Sequence, residues 1–204
     1  MKTSRFSHSF ICLFATVPAM LSSYALPGYA EEAAPSISFG QRVTVGDTTY
    51  IGDFLFEQPS GLASGNGRIE WRNGDSFEGR IERGLREGHG TFIAYANSVR
   101  YEGEWAADRQ NGKGKTTFSD GDVYEGEMKD GLFHGQGSYL SEDGSRYDGA
   151  WQNGLKDGFG KMTFPDGDNW EGRFSNDQRT TDGRMNFTEK PLAEIDADLP
   201  DNRP

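Results

Sequence analysis

The sequence predicts an all-β protein, an elongated and twisted antiparallel ribbon of about six consecutive β-hairpin repeats. Three observations lead to this prediction. A short phrase of the form aromatic-acid-Gly-x-apolar recurs about every 23 residues. Residues within each copy alternate with a period of two, which is the period of a strand. Asp-Gly or Asn-Gly dipeptides, the strongest short hairpin signals, separate most copies.

The recurring phrase orders the chain from residue 50 to the end of the repeat region. Its copies begin at Tyr50, Phe77, Tyr101, Tyr124, Tyr147 and Trp170. In the third copy the alternation places Tyr101, Gly103 and Trp105 on one face of a strand. Glu102 and Glu104 then lie on the opposite face. The acid side chains of successive copies are therefore expected to form a ladder on one side of the ribbon.

Each copy except the last continues to a Gly-x-Gly pair, and we expect the chain to turn at these middle glycines and again at the end of the repeat. Six repeats then give about twelve strands. The central glycine of each phrase is expected to leave room for an aromatic ring from the facing strand or the adjoining repeat. The repeat-defining structural residues are Tyr101, Gly103, Trp105, Gly112, Gly114, Tyr124, Gly126, Gly135, Gly137, Tyr147, Gly149, Trp151, Gly158, Gly160, Trp170 and Gly172.

The domain organisation follows from where the pattern begins and ends. Residues 1–30 have the character of a secretory signal peptide, with Lys2 and Arg5 before an apolar run and the small pair Gly28-x-Ala30 before an acidic shift; cleavage after Ala25 is the alternative. Residues 31–49 form an N-terminal lead-in, 50–188 the repeat domain, and 189–204 an acidic, flexible tail.

These features predict an exported protein, periplasmic or secreted. Cys12 is the only cysteine and would be removed with the signal, so export without disulfides favours a bacterial source. The formal net charge is −11, from 21 Lys and Arg against 32 Asp and Glu. Nucleic acid is therefore not an expected partner, because phosphate binding needs clustered basic residues. The same balance argues against electrostatic binding to anionic lipid.

No catalytic group, cofactor site or metal site is predicted. Asp120-Gly121-Asp122 and Asp166-Gly167-Asp168 resemble fragments of calcium loops but lack the Glu required at the twelfth position, so we interpret them as hairpin turns. His89 and His134 occupy unmatched positions in their repeats, which is typical of surface residues rather than ligands.

The acidic ladder is the candidate partner-docking face. It includes Glu102, Glu104, Glu125 and Glu127. The alternative interpretation is a solvated face that is partly paired with Lys113, Lys115, Lys161 and Arg68 of the facing strands.

The repeat resembles a known family. The unit Tyr-Glu-Gly-x-Trp…Gly-x-x-x-Gly-x-Gly…Phe-x-Asp-Gly is similar to the MORN (membrane occupation and recognition nexus) repeat, and residues 147–160 are a near-complete copy. The resemblance implies a ribbon of hairpins that works as a binding or scaffolding surface. We expect a non-catalytic protein in the cell envelope that binds an unidentified protein partner. Binding of membrane lipid or a cell-wall polymer is the alternative. The sequence does not determine the oligomeric state.

Overall fold

The computed structural model describes residues 41–57 and 60–188. They form one antiparallel sheet of fourteen strands and no helix. The strands are β1 (Gln41–Val45), β2 (Thr48–Phe56), β3 (Ala63–Trp71), β4 (Ser76–Glu82), β5 (Leu85–Ala94), β6 (Val99–Ala106), β7 (Arg109–Thr117), β8 (Val123–Lys129), β9 (Leu132–Leu140), β10 (Arg146–Gln152), β11 (Leu155–Thr163), β12 (Asn169–Ser175), β13 (Gln178–Arg179) and β14 (Arg184–Asn186). The predicted all-β ribbon of consecutive hairpins is confirmed.

The strands lie side by side in chain order from β1 to β13, and β14 pairs with β12 beside β13. Six units follow one another: β2–β3, β4–β5, β6–β7, β8–β9, β10–β11, and β12 with the two short strands. Every connection is short and local, so each unit touches its neighbours only. Across the part of the chain that is described, we find no helix long and apolar enough to cross a membrane.

The two faces of the sheet differ sharply. The first aromatic residue of each phrase pairs in register with residues of both neighbouring strands, so one straight row crosses the sheet through Tyr50, Ile69, Phe77, Phe92, Tyr101, Thr116, Tyr124, Tyr139, Tyr147, Met162, Trp170 and Met185. We call the face that carries this row the aromatic face. Most of its large side chains are buried. The opposite, polar face is called the outer face.

The turns of the hairpins do not lie at the Gly-x-Gly pairs, and that prediction was wrong. In the second to sixth units the chain reverses earlier, at a two-residue turn such as Ala107-Asp108 or Asp130-Gly131, and in the first unit it reverses between Phe56 and Ala63. The glycine pairs lie inside the second strand of the unit. In the second to fifth units the first glycine of a pair is one of two extra residues at a β-bulge; Gly112, for example, has a φ of 93°, a conformation that glycine adopts without strain. The second glycine, Gly114, pairs directly with Gly103.

Hydrogen bonds join the hairpin turns of neighbouring units along both edges of the ribbon. At one edge the N–H of Gly131 donates to the carbonyl of Gln110, and the N–H of Gly154 donates to that of Phe133, each at 2.9 Å. At the other edge the Asp122 carboxylate accepts a bond from the N–H of Glu142 at 2.8 Å. Neighbouring units are therefore joined at three places: by hydrogen bonds at each of the two edges where the chain turns, and by the backbone hydrogen bonds between their adjacent strands.

The two ends of the sheet depart from the repeat pattern. Residues 41–49, which were assigned to the lead-in, form β1 and the start of β2. This edge strand lacks the recurring phrase, so the pattern alone did not reveal it. At the other end the sixth unit lacks Gly-x-Gly, but Gly183 takes the place of the missing glycine beside Gly172. The predicted signal peptide, most of the lead-in and the acidic tail lie outside the described residues.

Candidate functional site

The repeat-defining residues, except the bulge glycines Gly112, Gly135 and Gly158, form the packing of the aromatic face. From the third to the fifth unit, the phenol ring of the phrase tyrosine lies across the glycine of its own phrase and the second glycine of the following Gly-x-Gly pair. A Cβ added to Gly103 would lie 2.6 Å from the Tyr101 hydroxyl oxygen, and one added to Gly126 would lie 2.6 Å from that of Tyr124. The ring therefore comes from the same strand, two residues before the phrase glycine. The prediction that it comes from the facing strand or the adjoining repeat was wrong.

The same arrangement recurs from the second to the sixth unit with small changes of side chain, whereas in the first unit the Phe54 ring lies against Gly67. Tyr147 covers Gly149 and Gly160, Tyr124 covers Gly126 and Gly137, and Trp170 covers Gly172 and Gly183. The phenol hydroxyls reach the next bend of their own strand. Tyr101 donates to the carbonyl oxygen of Glu104 at 2.9 Å, and Tyr124 donates to that of Glu127 at 2.7 Å. Burial raises the pKa of Tyr101 and Tyr124, and it raises that of Tyr147 to about 12.

The phrase tryptophans connect one unit to the next. Trp105 packs edge-on to Tyr101, with ring centroids 5.2 Å apart, and its indole N–H donates to the carbonyl of Gly90 in the preceding unit at 3.1 Å. Trp151 makes the equivalent bond to the carbonyl of Gly137 at 3.1 Å. Edge-on contacts also join the units, as between Tyr124 and Trp151 at 5.5 Å.

Cationic side chains cover part of this aromatic packing. The Arg86 guanidinium lies 4.0 Å from the ring centroid of Trp105 and pairs with the Asp108 carboxylate. Lys156 occupies in the fifth unit the position that Arg86 has in the second unit. Its Nζ lies 5.3 Å from the Tyr147 ring centroid. Burial lowers the pKa of Lys156, and nearby Asp177 opposes that shift. Trp105 and Tyr101 are only 4% and 0% exposed, so the repeat-defining rings stabilise the fold and are not available to a partner.

Two of the four candidate docking carboxylates are engaged by the backbone of the β-bulges. Glu104 Oε1 accepts a hydrogen bond from the N–H of Lys113, and Glu127 Oε1 accepts one from the N–H of Gln136, each at 3.0 Å. Both carboxylates lie against the bulge glycines, Gly112 and Gly135. Their geometry assigns them a structural role, which the sequence did not predict.

The other two candidates lie in a straight row across the outer face. This row, which we call the charged row, carries one side chain per strand: Arg68, Glu78, Thr91, Glu102, Lys115, Glu125, Ser138, Asp148, Lys161, Glu171 and Arg184. Glu102 pairs with Arg100 at 2.9 Å, and Lys161 pairs with Glu171 at 3.3 Å. Hydrogen bonds from Arg146 lower the pKa of Asp148. Lys113 and Lys115 form no ion pair with any described carboxylate.

The Asp-Gly segments form turns of the kind that was predicted. Asp120 Oδ1 accepts a hydrogen bond from the N–H of Asp122 at 3.2 Å, and Asp166 Oδ1 accepts one from the N–H of Asp168 at 3.0 Å. No cluster of three or more potential metal ligands is found among the described residues. His134 is half-buried, and its Nδ1 has no hydrogen-bond partner there.

A second row of the outer face was missed by the sequence analysis. It carries Ile93, Arg100, Thr117, Val123, Leu140, Arg146 and Thr163, one residue per strand from β5 to β11, and we call it the outer stripe. Val123 and Leu140 are cross-strand partners, and Leu140 is 42% exposed. The alternation rule contained the signal, because Val123 directly precedes the buried Tyr124 and must therefore face outwards.

Comparison with known proteins agrees with this architecture. The family model described as MORN repeat matches residues 60–76, 77–96, 101–123, 124–146 and 147–169, together more than half of the chain. The chain therefore belongs to the MORN repeat family, a family of protein- and membrane-binding modules. The matched segments fall on consecutive hairpins of the sheet.

The chain is also similar to solved structures. One similar structure is that of the TCP domain of SAS-4 (dCPAP) of Drosophila melanogaster, in complex with a proline-rich motif of Ana2 (dSTIL). It is 14% identical in sequence, with a TM-score of 0.38 over 80% of this chain and 99% of that chain. No curated protein sequence matches the chain.

Proposed function

We propose that this is a non-catalytic, exported protein that binds or scaffolds another protein in the cell envelope. The observation that carries the proposal is the outer face, where in-register strands from β3 to β12 present continuous rows of side chains at regular spacing. A surface of this kind suits a long partner rather than a small molecule, because successive strands lie only about 4.8 Å apart. The chain's family membership supports the same role.

The envelope location depends on export, which we infer from the sequence of residues 1–30. This segment has a positive start, an apolar run and small residues before Glu31. N-terminal sequencing of the protein purified from its source tests this point. A mature terminus near Glu31 is expected, whereas a protein that retains Met1 contradicts export by this route.

Binding of membrane lipid or a cell-wall polymer is the second candidate. Three exposed aromatic side chains favour it: Tyr95, Phe159 and Phe187 are 71%, 64% and 74% exposed. Flat aromatic surfaces contact sugars and lipid interfaces without any need for charge. Such binding would be insensitive to salt, since the net charge of −11 opposes attraction to anionic surfaces.

The experiment that separates the two uses photo-crosslinking in intact cells of the source. A photoreactive amino acid is placed at Thr91, Ser138 or Leu140 on the outer face, one position per variant. We expect discrete protein adducts from at least one position. Absence of protein adducts, together with salt-insensitive retention of the purified protein on liposomes or on isolated cell wall, contradicts the protein-binding proposal and supports the alternative.

A further inference from the structure

The first strand of the sheet is open along one side. β1 pairs with β2, and nothing in the described part of the chain pairs with its other side. A strand in this position presents unpaired backbone N–H and C=O groups, which form a ready template for a further strand. Its sequence does not block pairing, because β1 contains no Pro, no Lys and no bulge. The opposite end of the sheet is less suitable, since β13 and β14 have only two and three residues.

The turn between β1 and β2 determines which backbone groups point outwards. It has two residues and begins at Gly46, whose φ of 59° suits the first position of such a turn. The residues that flank a two-residue turn exchange hydrogen bonds, so Val45 bonds to β2. Because the pattern alternates along a strand, Val43 also bonds to β2. Arg42 and Thr44 therefore direct their N–H and C=O groups away from the sheet.

The side chains of β1 continue the two faces of the sheet. Val43 pairs with Tyr50, so it lies half-buried at the end of the aromatic row. Val45 lies on the same face and is 47% exposed. Arg42 lies on the outer face, where its guanidinium is 3.7 Å from the Glu70 carboxylate. The aromatic face therefore ends on aliphatic side chains, although the terminal units of a repeat array normally end on polar ones.

We propose that β1 pairs antiparallel with β1 of a second copy of this chain, about a twofold axis at Val43, so that two sheets join into one. Arg42 of each copy then lies opposite Thr44 of the other, and every outward N–H of these residues meets a carbonyl. The two Val43 side chains meet on the aromatic face, with Cα atoms about 4.5 Å apart. Because this contact is isologous, it closes at two copies. The inference does not depend on the proposed protein-binding function.

The sequence of β1 selects a second copy and this register. Arg42 is its only charged residue, and in this register it faces a threonine. A register centred on Arg42 would oppose two like charges, and one centred on Thr44 would move Arg42 opposite the turn residue Gly46. The same short strand thus supplies both sides of a complete match. The surface covered is small because β1 has five residues, so we expect a reversible, concentration-dependent dimer.

Sedimentation velocity and a symmetric disulfide test the pairing. We expect an equilibrium between monomer and dimer, with no larger species. In a Cys12→Ser background, Val43→Cys should form a disulfide-linked dimer on air oxidation, because its Cα atoms lie within the range that a disulfide spans. Val45→Cys is the matched control. Val45 is the more exposed of the two, but it lies opposite Gln41 of the second copy and should give little dimer.

Substitution of Thr44 separates strand pairing from general effects of charge. Thr44→Glu adds a carboxylate opposite each Arg42 and should tighten the dimer at least threefold, whereas Thr44→Lys should weaken it at least threefold. Both variants lose the hydroxyl contact with Thr49 equally. The net charge of −11 alone predicts the reverse order, because added acid increases repulsion between copies. Thr44→Pro removes an outward N–H but no bond to β2, so it should weaken the dimer at least tenfold with an unchanged circular dichroism spectrum.

A protein that stays monomeric at every concentration overturns the proposal and leaves the free side of β1 to residues 31–40 or to a strand of another protein. Equal disulfide yields from Val43→Cys and Val45→Cys also overturn it. So does a Thr44→Glu dimer no tighter than that of Thr44→Lys, or an unchanged dissociation constant for Thr44→Pro. None of these results bears on the crosslinking at Thr91, Ser138 and Leu140, so the protein-binding function is tested separately.

Discussion

At the scale of single residues, the packing of the aromatic face depends on the fit between one ring and two glycines. Tyr124 lies over Gly126 and Gly137, and equivalent contacts recur in the neighbouring units. The ring fills the space of two absent side chains, so large and missing side chains alternate along the strands. A bulky substitution at the glycine must displace either the ring or the backbone opposite it.

Gly126→Val tests this fit. A Cβ at Gly126 would lie 2.6 Å from the Tyr124 hydroxyl oxygen and 2.7 Å from the carbonyl oxygen of Gln136. We expect the free energy of unfolding to fall by about 1–3 kcal/mol or more, because overpacking forces the ring from its site. Urea unfolding followed by tryptophan fluorescence measures it. Thr117→Val, on the outer face of β7, is the control and should change it by less than about 0.5 kcal/mol. An unchanged midpoint for Gly126→Val would contradict the packing.

Thr116 is the one polar member of the aromatic row. Its hydroxyl is buried between Tyr101 and Tyr124 and has no hydrogen-bond partner among the described residues. Thr116→Val keeps the shape and removes the unpartnered oxygen, so we expect a stability gain of about 1 kcal/mol. Thermal unfolding of the two proteins checks it. Thr116→Ser, which keeps the oxygen and loses a methyl group, should lower stability instead; a loss with valine would mean that the hydroxyl is paired.

At the scale of the structural element, the β-bulge explains how each hairpin bends. The second strand carries two extra residues at the bulge, and a carboxylate from the first strand binds the freed N–H in two units. The fifth phrase has Ala150 at the same position, so this bond strengthens the bulge without being required for it. The element is therefore set by glycine and stabilised by glutamate.

Glu127→Ala measures that contribution. Loss of the bond to the Gln136 N–H should lower the free energy of unfolding by about 1 kcal/mol. Glu127→Gln keeps an accepting oxygen and should recover most of the loss. Glu125→Ala, in the charged row two residues earlier, should have little effect. If Glu127→Ala were neutral and instead abolished partner binding, the carboxylate would belong to a docking face after all.

The sequence predicted the strands and the turns between units well, and the turns within units poorly. Alternation around Tyr101, Gly103 and Trp105 assigned the two faces correctly, because burial on one face imposes the period of two. The turns were misplaced because Gly-x-Gly is the stronger local signal, whereas the true turn at Ala107-Asp108 contains no glycine at all. The structural role of Glu104 could not be predicted from the sequence. The Lys113 N–H that it binds lies nine residues away and comes close to the carboxylate only because of the bulge.

At the scale of the whole molecule, the aromatic row makes stability depend on pH. Burial raises the pKa of the row tyrosines above the ordinary value near 10, to about 12 for Tyr147. The unfolded chain therefore loses tyrosine protons at lower pH than the folded chain does. Because fewer protons are bound to the unfolded state above pH 10, stability must fall as pH rises through that range.

We expect the urea midpoint to stay nearly level from pH 7 to 9 and to fall above about pH 10. Lys156 acts in the opposite direction, since its lowered pKa adds stability as it deprotonates, but five tyrosines outweigh one lysine. Tyr147→Phe should make the alkaline fall shallower than in the unsubstituted protein. A midpoint that rises between pH 10 and 12, or an identical slope in Tyr147→Phe, would contradict burial of the row as the cause.

Neighbouring hairpins join into one sheet in a fixed register, and every row of side chains on the outer face depends on that register. A disulfide tests this most directly, in a background where Cys12 is replaced by serine. Lys115 and Glu125 belong to different repeats and are cross-strand partners, whereas Lys115 and Glu127 are offset by two residues. Directly opposed residues have Cα atoms about 4.5–5.5 Å apart, within the range a disulfide spans. We expect rapid oxidation of Lys115→Cys with Glu125→Cys and little with Glu127→Cys; equal or reversed yields would contradict the fixed register.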